Sequence, residues 1–140
     1  MISRCLGLDV GDATIGVAAS DLLGVTAQGV ETVRRQNLAA DLKRLDELVK
    51  EYEAATLVIG LPRNMNGSEG ERCRAVREFA AEVEEKIGGV KIVFWDERLS
   101  TVEVTNVLKE AGMSWRKRRK VVDKMAAVVI LQGYLDSRSV

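Results

Sequence analysis

Leu6-Gly7-Leu8-Asp9-Val10-Gly11-Asp12 decides how this chain is to be read. An apolar run that ends in a carboxylate and a glycine is an unusual way to finish a buried strand. Alternation puts Leu6, Leu8 and Val10 on one face and Cys5, Gly7 and Asp9 on the other. If both faces are covered, as in a parallel α/β sheet, Asp9 falls at the rim of the core. An ionised carboxylate there is costly unless something positive meets it. The positive charge expected is a metal ion, with the rest of the chain supplying the other ligands.

Working outward, Ile2 to Val10 reads as the first strand, Thr14 to Ser20 as the second and Val25 to Val33 as the third. Turn signals at Gly11-Asp12 and at Asp21 to Gly24 join them into an antiparallel meander. From Leu38 to Tyr52 the apolar residues Leu38, Leu42, Leu45, Leu48, Val49 and Tyr52 have helical spacing, with Asp41, Lys43, Arg44, Glu47 and Lys50 outward. Thr56 to Leu61 is an unbroken apolar run, the mark of a buried parallel strand, and Pro62 ends it. Ser68 and Glu71 fit a capping box opening a helix that buries Cys73, Val76, Phe79, Ala80, Val83 and Ile87 and stops at Gly88-Gly89.

Val90 to Trp95 is the second buried strand and runs into Asp96-Glu97-Arg98. A further capping box, Ser100 with Glu103, opens a short helix to Gly112; the basic run Trp115 to Lys120 follows, then a last helix over about Val121 to Leu135. Three meander strands followed by helix–strand–helix–strand–helices make a mixed α/β sheet of five strands. Right-handed crossovers place the fourth strand beside the first, on the edge away from the meander, so the first strand is central and Asp9 lies near a switch point.

The chain of 140 residues is expected to form one domain over 1–140. Its 21 basic and 21 acidic residues cancel, so total charge says nothing about partners. The absence of histidine removes the usual general base and the usual nitrogen ligand for zinc. Metal chemistry must then rest on carboxylates, which suit Mg²⁺ or Mn²⁺. Cys5 and Cys73 show no ligand spacing and read as buried thiols. With neither a basic, apolar leader nor a membrane-length apolar run, the expectation is a cytoplasmic protein without membrane contact.

Three acidic positions stand out of pattern. Asp9 ends the first strand, and Glu97 follows the last strand on the same expected rim. Asp123 lies in line with Ala126, Ala127, Ile130, Leu131 and Tyr134 on the apolar face of the last helix. Each has a plainer reading: a turn residue for Asp9, a strand end or an ion pair with Arg98 for Glu97, and a first-turn acid favoured by the helix dipole for Asp123. Topology brings all three to one edge, which is what one or two divalent ions need for in-line phosphoryl displacement. Arg116, Lys117, Arg118, Arg119 and Lys120 stand just before Asp123, and Arg98 beside Glu97. They read either as a solvated basic loop or as contacts to a nucleic-acid backbone. Trp115 could stack on an unpaired base or anchor a loop.

These residues also carry a family resemblance. Leu8-Asp9-Val10-Gly11 with Ile15-Gly16-Val17, Gly60-Leu61-Pro62 with Asn64 to Ser68, Asp96-Glu97-Arg98-Leu99-Ser100-Thr101, and Asp123 to Ala127 with Ile130 to Leu135 resemble the YqgF/RuvX family of bacterial RNase H-like nucleases. The similarity runs through nearly the whole chain in order, and the Asp96–Thr101 block is its most specific part. It implies an RNase H-like fold and a metal-dependent nuclease related to Holliday junction resolvases, assigned to the 5′ end of pre-16S rRNA. Matched by position, Asp9, Glu97 and Asp123 would be the metal-binding carboxylates, and Arg98 and Lys120 phosphate contacts. One departure is that Ala13-Thr14 stands where the family usually has a basic residue near Asp12.

Four readings of function follow. An endonuclease acting on structured precursor RNA comes first; the same chemistry on branched DNA comes second, and would require a homodimer rather than a monomer. An ATP-binding module of the sugar-kinase or actin type would need a second such domain. A nonenzymatic RNA-binding or assembly factor would keep the fold without the catalysis.

Overall fold

The computed structural model describes residues 4–98 and 111–138, and for residues 115–124 the path of the backbone alone. Its elements are β1 (Arg4–Val10), β2 (Thr14–Ser20), β3 (Ala27–Arg34), α1 (Leu38–Glu51), β4 (Ala54–Leu61), α2 (Glu71–Lys86), β5 (Lys91–Asp96) and α3 (Trp115–Arg138). The sheet order is β3-β2-β1-β4-β5. β1 pairs antiparallel with β2 and parallel with β4, and β4 pairs parallel with β5. The expected meander, the two parallel strands and the central place of β1 are all present.

Alternation along β1 divides the core in two. Leu6, Leu8 and Val10 join Leu57, Ile59 and Leu61 of β4 under α1 and α2, with Leu45, Leu48, Val76, Phe79 and Val83. Cys5 of β1, Ala18 of β2 and Val58 of β4 face α3, packed on Ala127, Ile130, Leu131 and Leu135. Leu6 and Leu8 are fully buried, each worth about 1.5–3 kcal/mol of apolar transfer, so the strand carrying Asp9 is held firmly. Gly7 is the point of closest approach to α3: a Cβ there would lie 2.7 Å from Leu131 Cβ and 2.9 Å from the Ala127 carbonyl. Cys5 and Cys73 are buried free thiols on opposite faces of the sheet.

Four local expectations need revision or fall outside the description. Asp41 is buried, not outward. Its carboxylate accepts from Arg35 Nε at 3.0 Å and from the Gln36 amide at 3.1 Å, one turn into a helix capped by Asn37. Burial is tolerated because that charge is paired. Ser68 does not cap α2; Gly70 is the N-cap, without a side-chain bond. The Ser68 hydroxyl instead bonds Asn66 Oδ1 at 2.6 Å and accepts from Asn64 Nδ2 at 3.0 Å, closing the loop before the helix. The helix with the Ser100–Glu103 box falls on residues outside the described set. Finally, α3 begins at Trp115, so the run Arg116 to Lys120 is helical rather than a preceding loop. Arg and Lys are good helix formers, and no Gly or Pro interrupts them.

Candidate active site at the carboxyl edge of the sheet

Parallel pairing of β1, β4 and β5 brings their carboxyl ends to one edge. Leu8 pairs with Ile59, and Gly60 and Leu61 pair with Trp95 and Asp96. By alternation Asp9, Gly60 and Glu97 all lie on the α3 side of that edge. Asp9 pairs with Gly16 of β2, where a Cβ would meet Ala127 Cβ at 3.5 Å and Asp9 Cβ at 3.7 Å. Gly60 leaves the space that Glu97 fills. A Cβ on Gly60 would stand 2.5 Å from Glu97 Oε1 and 2.5 Å from Ile130 Cδ1.

Glu97 and Asp9 share a side-chain hydrogen bond. Burial of Glu97, then the charge of Asp9 and that bond, push the Glu97 carboxyl up to about 8, with the cation of Arg72 pulling the other way. Two carboxyl groups in contact in a half-buried setting cannot both ionise cheaply, so one proton is held between them. A divalent cation is the natural replacement for that proton, and an all-oxygen donor set suits Mg²⁺ or Mn²⁺.

The third expected ligand, Asp123, is placed by its backbone only. Moving along α3 toward its start, Leu131 lies over Gly7 and Ala127 over Gly16 beside Asp9. Asp123 sits one turn earlier, about 6 Å further toward the carboxyl edge. Its side chain and those of Trp115, Arg116, Lys117, Arg118, Arg119 and Lys120 lie outside the described residues. Among the described residues no group of three His, Cys, Asp or Glu side chains gathers as a metal site.

Arg98 pairs with Asp96 rather than with Glu97. Its Nε donates to both Asp96 oxygens at 3.0 Å and its Nη2 to Oδ2 at 2.6 Å, holding the Asp96 carboxyl below its ordinary range. Nη1 donates to the Met65 carbonyl at 3.2 Å. Any phosphate contact made by Arg98 would share a guanidinium that already has these partners. Asp12, by contrast, is exposed in the β1–β2 turn.

Sequence reasoning missed Arg72, Gly60 and the pair Arg35–Asp41. Arg72 was accessible from topology: α2 starts where β4 ends, so its first turn must stand at the same edge as Asp9. Arg35 braces the site from behind, donating from Nη1 to the Gly11 carbonyl at 2.9 Å while its Nε holds Asp41.

Comparison with known proteins agrees with this architecture. A family model named RuvX and described as Holliday junction resolvase matches residues 3–137. A relative from Heliobacterium modesticaldum, provisionally named a pre-16S rRNA nuclease, is 55% identical over 97% of this chain and 91% of its own length. One from Moorella thermoacetica with the same provisional name is 58% identical over 95% of this chain and 94% of its own. Among solved structures, Thermus thermophilus RuvC in complex with Holliday junction substrate superposes with a TM-score of 0.60 at 14% identity, covering 97% of this chain and 95% of that one. The yeast mitochondrial Holliday junction resolvase superposes with a TM-score of 0.56 at 13% identity, covering 96% and 78%. The fold is the RNase H-like fold of these resolvases. No helix among the described residues is long and apolar enough to cross a membrane.

Proposed function

Because this chain belongs to the RuvX nuclease family, we propose that it is a metal-dependent endonuclease that hydrolyses phosphodiester bonds of structured RNA and trims the 5′ end of pre-16S rRNA. The observation that carries the metal dependence is the hydrogen-bonded pair of Glu97 and Asp9 at the carboxyl edge of the sheet. The relatives' provisional name supports the choice of RNA.

Asp9, Glu97 and Asp123 would hold one or two Mg²⁺ or Mn²⁺ ions. Such ions, when bound, supply an activated water and stabilise the leaving oxygen. Glu97 gives up the shared proton so that both carboxylates can act as ligands. Arg72 favours that ionisation through its positive field. Arg98 keeps Asp96 paired and out of the ligand set. The basic start of α3, Arg116 to Lys120, lies within two turns of Asp123 and would deliver the phosphate backbone. Arg35 fixes the β1–β2 turn, and with it the end of the strand bearing Asp9.

The second reading keeps the chemistry and changes the substrate to a four-way DNA junction, in line with the description of the matched family model. A junction is symmetric and would call for a homodimer, whereas precursor RNA would be served by a monomer. Side-by-side cleavage of a labelled pre-16S rRNA 5′ fragment and a four-way DNA junction in Mg²⁺ or Mn²⁺ separates the two. Discrete cutting of the RNA alone is expected. Resolution of the junction with the RNA left intact would transfer the assignment to DNA.

A further inference from the structure

The loop between β4 and α2 carries a feature that the carboxylates do not use. Met65 is an apolar side chain that is 81% exposed, at the tip of this loop. A lone exposed apolar residue is ordinary on a protein surface; what singles Met65 out is how firmly its backbone is held. The Asn64 amide donates to the Ser68 carbonyl at 2.9 Å, and the Gly67 amide to the Asn64 carbonyl at 2.8 Å. Asn66 Oδ1 accepts from the Ser68 amide at 2.9 Å, and Gly67 takes φ of 87° to complete the turn. Arg98 then straps the loop to the edge, one arm on the Met65 carbonyl and the others on Asp96, the residue before Glu97.

Resting on the nuclease reading above, we propose that this loop is a nucleobase contact: strapped beside Glu97 by Arg98, it presents Met65 to the face of a base unstacked next to the scissile phosphate. Methionine is among the apolar side chains that wedge between base steps, and its sulfur makes favourable contacts with aromatic rings. Arg72, whose charge reaches Glu97, stands at the edge for the adjoining phosphate, while Arg63 and Arg98 are engaged by Glu69 and Asp96. In this arrangement the carboxylates set the chemistry, and the distance from Met65 to Glu97 sets which phosphate is cut. Arg98 acts as a positioning residue, holding that distance.

The test places 2-aminopurine, a base whose fluorescence rises on unstacking, at each position in turn of an RNA hairpin with a single-stranded 5′ extension and of a four-way DNA junction. Binding is followed with Ca²⁺ replacing Mg²⁺ to prevent turnover. The full chain is expected to raise fluorescence at one position of one of the two substrates. Met65→Leu should keep the signal, while Met65→Ala should lose it and weaken binding roughly tenfold. The dependence of affinity on salt should not change, since no phosphate contact is removed. Thermal unfolding should be unaltered because the side chain is exposed. A signal that survives Met65→Ala, or no position-specific signal on either substrate, overturns the proposal. If the full chain cuts neither substrate in Mg²⁺ yet gives a signal that depends on Met65, the nuclease reading fails and the base contact stands.

Discussion

The carboxyl of Glu97 and the carboxylate of Asp9 are hydrogen-bonded to each other across the ends of β5 and β1, with Gly60 of β4 leaving the room between them. Sheet order alone makes this meeting possible: β4 lies between the two strands and contributes no side chain at that level. Two acids that would repel each other in a finished structure are kept in contact where a cation can replace their proton.

A pH dependence of stability follows. In the unfolded chain Glu97 titrates near 4.5, and in the folded chain near 8, raised by burial and by Asp9. Below the lower value both states are protonated; between the two only the folded state keeps the proton. Stability of the metal-free protein should therefore fall as pH rises through that window. Urea unfolding should show a loss of about 1–3 kcal/mol between about pH 5 and pH 9. Glu97→Gln should remove most of that slope and make the protein more stable at the alkaline end. Equal slopes in both proteins would show that Glu97 is not held protonated.

Gly60→Ala tests the packing of the site. The added Cβ would collide with Glu97 Oε1 and Ile130 Cδ1, both at 2.5 Å. Overpacking of this kind costs about 1–3 kcal/mol. Because Glu97 is the movable neighbour, cleavage should fall by more than the stability change explains. A variant that is destabilised yet fully active would separate Gly60 from the chemistry.

The buried ion pair behind the β1–β2 turn gives a third expectation. Asp41→Ala leaves Arg35 without its carboxylate and the Gln36 amide without an acceptor. Loss of such a pair costs roughly 2–4 kcal/mol. Arg35 would also loosen from the Gly11 carbonyl, so activity should drop at temperatures where the variant is still folded. Calorimetry with parallel cleavage assays reads both. A change below about 0.5 kcal/mol would place this pair among surface contacts.

Neutralising Arg116, Lys117 and Arg118 at the start of α3 should weaken nucleic-acid binding. It should also reduce the slope of log K against log salt by about 2–3 on a duplex. An unaltered slope would return the run to the solvated reading. The change should leave metal affinity in place, since these side chains are not among the proposed ligands.

Much of this architecture was legible in the chain itself. β2 has the bounds expected of it, β4 starts two residues earlier than expected, and β1 ends at Val10 as expected, its expected start at Ile2 lying outside the described residues; apolar runs closed by Gly11 and Pro62 mark the two ends. The convergence of Asp9 and Glu97 followed from parallel strands ending on one edge. What stayed hidden depended on contacts distant in space or on competing local bonds. Asp41 looks like an outward helix residue until Arg35 folds back over it. Ser68 has the capping signature, but Asn64 and Asn66 take its hydroxyl first. The basic run resembles a loop by composition, yet its helix propensity carries α3 back to Trp115. The strap from Arg98 to Met65 joins the residues just after β5 to the β4–α2 loop and has no signal in spacing.

In the proposed function the carboxyl edge binds the divalent ions that cut a nucleic-acid backbone. Mn²⁺ binding by electron paramagnetic resonance, followed alongside cleavage in the full chain and in Asp9→Asn, tests this most directly. The full chain should bind Mn²⁺, more tightly as pH rises through the Glu97 titration near 8, and should cut in proportion to ion occupancy. Asp9→Asn should fold normally, lose most of the bound Mn²⁺ and lose cleavage with it. Unchanged Mn²⁺ binding and cleavage in Asp9→Asn would contradict a catalytic metal site built on Asp9.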